Sequence, residues 1–390
     1  METKEYELGQ LLTYEQPTPY IVESTKYSDE YKTPVLTAGK SFIIGYTNEK
    51  NGIYDRLPVI IFDDFTTSSQ YVNFKFKVKS SAMKILTANT ELVLPKYIFY
   101  QMQAISIDHS THKRYWIQHY SKLKVRIPSL LLEQGKIIQQ IEELFSQLDK
   151  GVETLQTIKQ QLAVYRQAVL KEAFEGKLTK STPLKHDNLL HYIEKPRYGT
   201  SKKCSYECAD KDTPVYRIPN IDWSVGRIDH EDIKYAHFSD KEVEGIRLEK
   251  DDILIIRSNG SVSLVGRAAL ISQSDTCGSF AGYLMRIRVA KPDVLIPKFL
   301  LLYLNSHQAR VYIENKAKST SGVNNINSDE ISRLPIPLFS HQEQVAIIEE
   351  IESRLSVCDS IEQTVDAALA QAEALRQSIL KKAFEGGFTQ

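Results

Sequence analysis

The stretch Arg166-Gln167-Ala168-Val169-Leu170-Lys171-Glu172-Ala173-Phe174-Glu175-Gly176 returns 210 residues later. There it reads Arg376-Gln377-Ser378-Ile379-Leu380-Lys381-Lys382-Ala383-Phe384-Glu385-Gly386. The likeness extends without a gap from Glu133-Gln134 to Thr179-Lys180 and from Glu343-Gln344 to Thr389-Gln390. Roughly nineteen of about 48 paired positions are identical, far beyond what two unrelated apolar-patterned helices share. A chain that carries one long helix twice, each time after a globular segment, is built as a pseudo-dimer of itself. Such a molecule suits targets that also come in two halves.

Both copies have heptad spacing. Ile141, Leu148, Leu155, Leu162 and Val169 are seven apart, with Leu144, Ile158 and Tyr165 between them. The second copy gives Ile351, Cys358, Val365, Ala372 and Ile379, with Ile361, Ala368 and Leu375 in the intervening seam. No proline interrupts either run, and Gly176 and Gly386 stand where a helix would stop. The pattern predicts helices of about 38 residues, roughly 55–60 Å long. A helix of that length with one apolar stripe needs a partner, and the nearest is the other copy.

The globular segments echo each other more faintly. Leu11-Leu12, Tyr14 and Tyr20 match Leu189-Leu190, Tyr192 and Tyr198, and Thr33-Pro34-Val35 matches Thr213-Pro214-Val215. Pro95-Lys96-Tyr97 matches Pro297-Lys298-Phe299, and Val125-Arg126-Ile127-Pro128 answers Leu334-Pro335-Ile336-Pro337. Taken in order the displacement only climbs, as a duplication with insertions requires. Leu57–Phe62 and Asp252–Ile256 read as buried strands, and Phe74–Val78 and Met285–Val289 as alternating edge strands. Tyr97–Gln103 and Phe299–Ser306 read as short buried helices. The predicted fold is α+β: two globular mixed α/β segments joined by two long helices in an antiparallel coiled coil, a tandem repeat with pseudo-twofold symmetry. The segments are 1–130 and 181–338, and the helical spacers 131–180 and 339–390.

At 390 residues two or three domains are expected. Lys plus Arg and Asp plus Glu both number 49, so the chain is not the basic coat of a nonspecific DNA binder. Cys204, Cys208, Cys277 and Cys358 form no disulfide framework. The longest apolar run, Phe299–Leu304, is too short to span a bilayer, and the expected location is the cytoplasm.

Catalytic motifs are missing from the sequence. Thr37-Ala38-Gly39-Lys40-Ser41 resembles the tail of a phosphate loop, but position 34, where its first glycine belongs, is proline, so a polar loop is the better reading. Cys204 and Cys208 lack the tight spacing and second pair of a zinc site. Asp63-Asp64 and Asp251-Asp252 flank buried strands on opposite sides, which points to turn carboxylates rather than an acid–base pair. No methyltransferase, dinucleotide, metallohydrolase or nucleophile-elbow signature occurs.

Loops mixing basic, amide, hydroxyl and aromatic residues are the candidates for contact. The first segment offers Lys79, Ser80, Ser81 and Lys84, then Lys113, Arg114 and Tyr115. The second offers Arg197, Tyr198, Thr200, Ser201 and Lys202, then Arg257, Ser258 and Asn259, and finally Lys318, Ser319, Asn324 and Asn325. Arginine and lysine can engage phosphates or a guanine edge, and asparagine can bracket an adenine. Any one such loop is more often a solvated turn; their recurrence in both halves is what makes them candidates.

With these residues in view, the whole chain resembles a specificity subunit of a type I restriction-modification system. The carriers are the tandem plan, Ile127-Pro128 followed by Glu133-Gln134, and Ile336-Pro337 followed by Glu343-Gln344. Ile255-Ile256-Arg257-Ser258-Asn259-Gly260 and the Ala-Phe-Glu-Gly helix ends also fit. The resemblance implies two target recognition domains, each reading one half of a split double-stranded DNA site, with no catalytic centre in this chain. It also implies two methyltransferase subunits carrying S-adenosylmethionine, and restriction subunits that translocate and cut DNA using ATP and Mg2+. The first segment departs from the pattern, having Phe62-Asp63-Asp64-Phe65-Thr66-Thr67 where the second has Arg257-Ser258-Asn259-Gly260. From another class, a coiled-coil scaffold with protein- or glycan-binding heads is the alternative.

Overall fold

The computed structural model describes residues 2–39, 41–105, 115–209, 211–317 and 322–385. Its contacts divide it into two units, one of residues 1–156 with 366–390, the other of residues 157–365. Each unit holds one globular segment and a part of each long helix.

The first unit runs β1 (Thr3–Glu7), α1 (Leu8–Leu11), β2 (Leu12–Glu15), β3 (Thr33–Leu36), β4 (Ile43–Thr47) and β5 (Val59–Asp63). It continues through β6 (Ser69–Val72), β7 (Lys77–Val78), β8 (Met83–Ala88), α2 (Pro95–Ala104), α3 (Tyr115–Gln118) and β9 (Lys124–Pro128) into α4 (Leu131–Phe174). The second unit runs β10 (Lys185–Asn188), β11 (Arg197–Tyr198), β12 (Thr213–Tyr216), β13 (Ile221–Asp222), β14 (Arg227–Ile228) and β15 (Lys234–Ala236). Then come α5 (Asp240–Ile246), β16 (Ile253–Ile256), β17 (Ser258–Asn259), β18 (Ala268–Leu270), β19 (Ser279–Phe280) and β20 (Leu284–Ile287). It closes with α6 (Pro297–Leu304), α7 (His307–Lys316), β21 (Asn324–Asn325), α8 (Ser328–Ser332), β22 (Pro335–Leu338) and α9 (His341–Phe384).

The two units share one topology. An antiparallel sheet in the order β2-β8-β5-β6 is matched by β11-β20-β16-β18. A smaller sheet, β4-β3-β7, is matched by β15-β12-β19, and in each the pairing of its central strand with the last is parallel. The faint echoes in the sequence are thus one fold used twice. The predicted buried strands are β5 and β16, and both faces of each are covered. Ile60 and Phe62 pack with Tyr97, Ile98 and Ile141, while Val59 and Ile61 pack with Leu36 and Phe76. Ile253 and Ile255 pack with Phe299, Leu300 and Ile347, while Leu254 and Ile256 pack with Tyr216 and Phe280. A strand covered on both faces reads as a continuous apolar run.

Two strand expectations need correction. Phe74–Val78 contributes only the short β7 and a bridge from Phe76 to Tyr54. Met285–Val289 is no edge: β20 lies between β11 and β16. Its alternation misleads because Arg286 is buried, donating to the Arg247 carbonyl at 2.5 Å.

Both long helices have 44 residues, more than predicted and about 66 Å of rise. They start earlier than the Glu-Gln motif suggests; in α9 the motif's own Glu343 forms a reciprocal cap with Ser340, just before the helix. Gly176 ends α4 at φ +74, where an added Cβ would lie 1.9 Å from the Ser181 carbonyl oxygen. Within each unit the helices pair antiparallel. In the first, Ile137 and Ile141 share a core with Leu380 and Ala383, and Arg376 pairs with Asp149. In the second, Val169 and Phe174 share a core with Ile347 and Ile351, and Arg166 pairs with Asp359 (2.7 Å) and Glu362 (2.9 Å). The two arginine–aspartate pairs are the same bond with the helices exchanged, each residue 210 positions from its counterpart. The intervening seam is not buried as predicted: Leu144, Tyr165, Ile361 and Leu375 are exposed, because one partner helix covers only one side of each stripe.

Candidate nucleic-acid interface

Each globular segment is fastened to its helix by the same glutamine. Gln134 is fully buried; its Oε1 accepts from Leu94 N (2.9 Å) and its Nε2 donates to the Leu92 and Pro128 carbonyls (both 3.0 Å). Gln344 repeats the set with Ile296 N (2.9 Å), Val294 O (2.7 Å) and Phe339 O (2.9 Å). A lysine at the second position of the short helix adds a second tie, Lys96 to Glu142 at 2.6 Å and Lys298 to Glu352 at 3.1 Å.

In the second unit this frame positions a cleft. β16 is apolar throughout, so its first polar side chain, Arg257, emerges at the strand end. The guanidinium lies over the Tyr198 ring at 4.4 Å, and its Nη1 donates to Gly282 O and Nη2 to Asn325 Oδ1, both 3.1 Å. The Tyr198 hydroxyl accepts from Ser328 N at 2.9 Å. Next to it Gly199 must be glycine, since a Cβ would stand 2.2 Å from the Phe280 carbonyl oxygen. Beyond Arg257, β17 pairs with β21, setting Ser258 opposite Asn325 and Asn259 opposite Asn324.

The cleft has a volume of about 720 Å³, and its walls include Tyr198, Lys202, Arg217, Lys234, Arg257 and Tyr283. Lys202 is held by Glu242 (2.8 Å) and the His237 carbonyl (2.9 Å), and Arg217 by Asp232 (2.8 Å). The Lys202 bond, helped by the Ser239 cap, pulls the Glu242 carboxyl down to about 2.

The structure therefore joins three stretches that lie far apart in sequence. Tyr198, Thr200, Ser201, Lys202 and Arg257 line the cleft, and Ser258, Asn259, Asn324 and Asn325 form the ribbon fixed to it. Arg197 is exposed on β11 and is not a cleft residue. Lys318, Ser319, Lys113 and Arg114 lie outside the described residues. Arg217, Lys234 and Tyr283 were not picked out from the sequence; no local motif marks them, because only the folding of β12, β15 and the β19–β20 turn brings them together. Tyr283 alone left a trace, an aromatic after a glycine.

The first unit presents less. Lys79 and Ser81 are exposed, and Ser80 is half-buried with its hydroxyl accepting from Ala82 N. Lys84 is not a surface contact: it is buried, 3.4 Å from Asp64 and 3.1 Å from Gln16 Oε1. Tyr115 is buried at the start of α3, where its N–H donates to the Asp64 carbonyl. Asp64 holds the place that Arg257 holds in the second unit. Asp64 N donates to Ala82 O and Asp64 O accepts from Tyr115 N; Arg257 N donates to Tyr283 O and Arg257 O accepts from Ile326 N. The duplicated fold thus puts a carboxylate and a guanidinium at equivalent points.

The other candidate chemistries have structural partners. Asp63 Oδ1 accepts from Phe65 N and Thr66 N, closing a turn. Asp252 accepts from Glu249 N and from Arg288 Nε and Nη2. Thr37 accepts from Gly39 N and donates to Ser41 O, closing the polar loop. Among the described residues no group of three or more His, Cys, Asp or Glu is placed to hold a metal, and no helix is long and apolar enough to cross a membrane.

The family model for the type I restriction modification DNA specificity domain matches residues 191–371. The type I restriction enzyme EcoR124I/EcoR124II specificity subunit of Escherichia coli is 42% identical over 174 residues, 42% of this chain and 43% of that protein. The EcoKI specificity subunit of Escherichia coli K12 is 31% identical over 279 residues, 69% of this chain and 59% of that protein. The chain thus spans about half the length of the relatives it matches. In fold, it superposes with a TM-score of 0.71 at 16% identity on a chain from a structure of complex assembly and conformational transition of the type I R-M system, covering 98% of this chain and 97% of that one. The HsdS subunit from Thermoanaerobacter tengcongensis gives a TM-score of 0.50 at 16% identity, covering 98% and 97%. Sequence match, duplicated helices and shared fold agree: the chain belongs to the family of type I restriction-modification specificity subunits.

Proposed function

We propose that this chain is the DNA-reading subunit of a type I restriction-modification complex, each globular segment reading one half of a bipartite site. The observation that carries this reading is the convergence of Tyr198, Lys202, Arg257 and the asparagine ribbon on one cleft, joined to a scaffold that occurs twice. Cations and aromatic faces suit phosphates and bases, and amides suit base edges. Arg197, Tyr198, Thr200, Ser201, Lys202, Arg257, Ser258, Asn259, Lys318, Ser319, Asn324 and Asn325 are the proposed contacts in the second segment. In the first, Lys79, Ser80, Ser81, Lys113 and Arg114 are proposed.

The partners are two methyltransferase subunits, carrying S-adenosylmethionine, and restriction subunits driven by ATP and Mg2+. The long helices offer the methyltransferases apolar side chains that no second helix covers, Leu144 and Leu375 among them. In the first unit a groove of about 530 Å³ opens between Leu148, Val152 and Leu155 on α4 and Ala368, Ala372 and Leu375 on α9. With a balanced charge the isolated chain binds DNA weakly, the partners supplying much of the phosphate contact. The scaffold with protein- or glycan-binding heads finds no support in the relatives.

The test exchanges residues 181–338 for the equivalent segment of a relative and maps the methylated sites of the complete complex. One half-site should change and the other persist; a change in both, or in neither, refutes the division of labour.

A further inference from the structure

We infer that the second unit reads a guanine through the Arg257–Asn325 pair, an assignment that rests on the DNA-reading function proposed above. The Arg257 Nη2 bond occupies Asn325 Oδ1, which fixes the orientation of that amide and leaves Nδ2 without a partner among the described residues. On the guanidinium, Nη1 and Nη2 each use one N–H, to Gly282 O and Asn325 Oδ1, and Nε is buried. The edge left to a ligand is therefore made of donors: one N–H on each Nη and the Asn325 amide. Guanine alone shows two adjacent acceptors, N7 and O6, in the major groove. Adenine sets an N6 donor beside its N7, cytosine presents a donor, and thymine a single acceptor beside a methyl.

The device is rigid before any DNA arrives. Tyr198 supports the face of the guanidinium and is itself fixed by Ser328 N. Asn324 Nδ2 donates to Gly260 O at 2.9 Å, and the β17–β21 pairing holds the backbone of Asn325. Preset donors bind with less ordering cost and discriminate more sharply. The first unit lacks the device, since Asp64 stands at the equivalent place, buried against Lys84. Guanine reading by this pair belongs to the second half-site only.

The experiment uses the full chain assembled with its methyltransferase subunits and a DNA library randomised across both half-sites, with methylated members sequenced. The half-site of the second unit is the one that changes when residues 181–338 are exchanged. Wild type should select guanine at one of its positions. Asn325→Asp, which keeps the shape but turns a donor into an acceptor, should lower that preference roughly 5- to 150-fold and leave the other half-site unchanged. Arg257→Met, which keeps the apolar stem, should act at the same position. Should Arg257→Met disable the complex, Asn325→Asp decides alone, because Asn325 is exposed and makes one side-chain bond among the described residues. Wild-type selection in Asn325→Asp, or a second half-site with no guanine on either strand, overturns the inference. A wild-type complex that selects no sequence at any position refutes DNA reading itself, a distinguishable failure.

Discussion

Lys202 reaches the wall of the cleft already paired, with Glu242 2.8 Å away. The Glu242 carboxyl is lowered to about 2, so its charge is fully present above the ordinary glutamate range and is lost as pH falls through about 2. Near neutral pH the carboxylate is therefore charged, and it competes with a phosphate for the ammonium. Glu242→Gln should free Lys202, steepen the log–log salt dependence of DNA binding by about 0.9 and tighten binding up to about 8-fold near 0.1 M salt. Anisotropy titrations of the assembled complex at several salt concentrations check this; an unchanged slope would show that Lys202 does not face phosphate. At this scale the sequence was only partly legible. Arg257 and Asn325 were visible as residue types suited to bases, but the bond between them was not. Lys84 looked like a surface cation and is buried, because a lysine written beside apolar neighbours gives no sign that Asp64, twenty positions away, will neutralise it.

Among the elements, the Glu-Gln motif at each helix start has a physical purpose that its recurrence only hinted at. Gln344 ties together the loop before α6, the end of β22 and the first turn of α9 through three bonds of a fully buried side chain. Gln344→Leu leaves one N–H and two carbonyls short of partners and should destabilise the second segment by about 2–5 kcal/mol. Denaturant unfolding followed by the fluorescence of Trp223, in that segment, measures it; a shift below about 1 kcal/mol would mean that water replaces the glutamine. The helices themselves were legible because a seven-residue period survives any environment. Their exposed seam was not, since period alone cannot tell a two-helix pair from a larger bundle.

For the whole molecule, the division between units falls after Gln156 in α4 and after Val365 in α9, within one residue of equivalent points of the repeat. In the proposed bipartite reader these helices set the distance between two half-sites about one DNA turn, near 34 Å, apart. One heptad inserted in phase at both points adds about 10 Å of helix and should lengthen the unread spacer by roughly three base pairs. Methylome mapping reads the spacer directly, and an unaltered site would end the ruler account. Duplication was plain in the sequence because the helices conserve their contacts; the heads diverged where Asp64 and Arg257 now differ, and only topology aligns them. The paired glutamine clamps have a last consequence. Their bonds reach only backbone atoms outside the cleft, so substitutions among the cleft residues leave every fastening in place. Evolution can rewrite what such a head recognises while the joinery that carries it stays standard, as interchangeable bits fit one drill chuck.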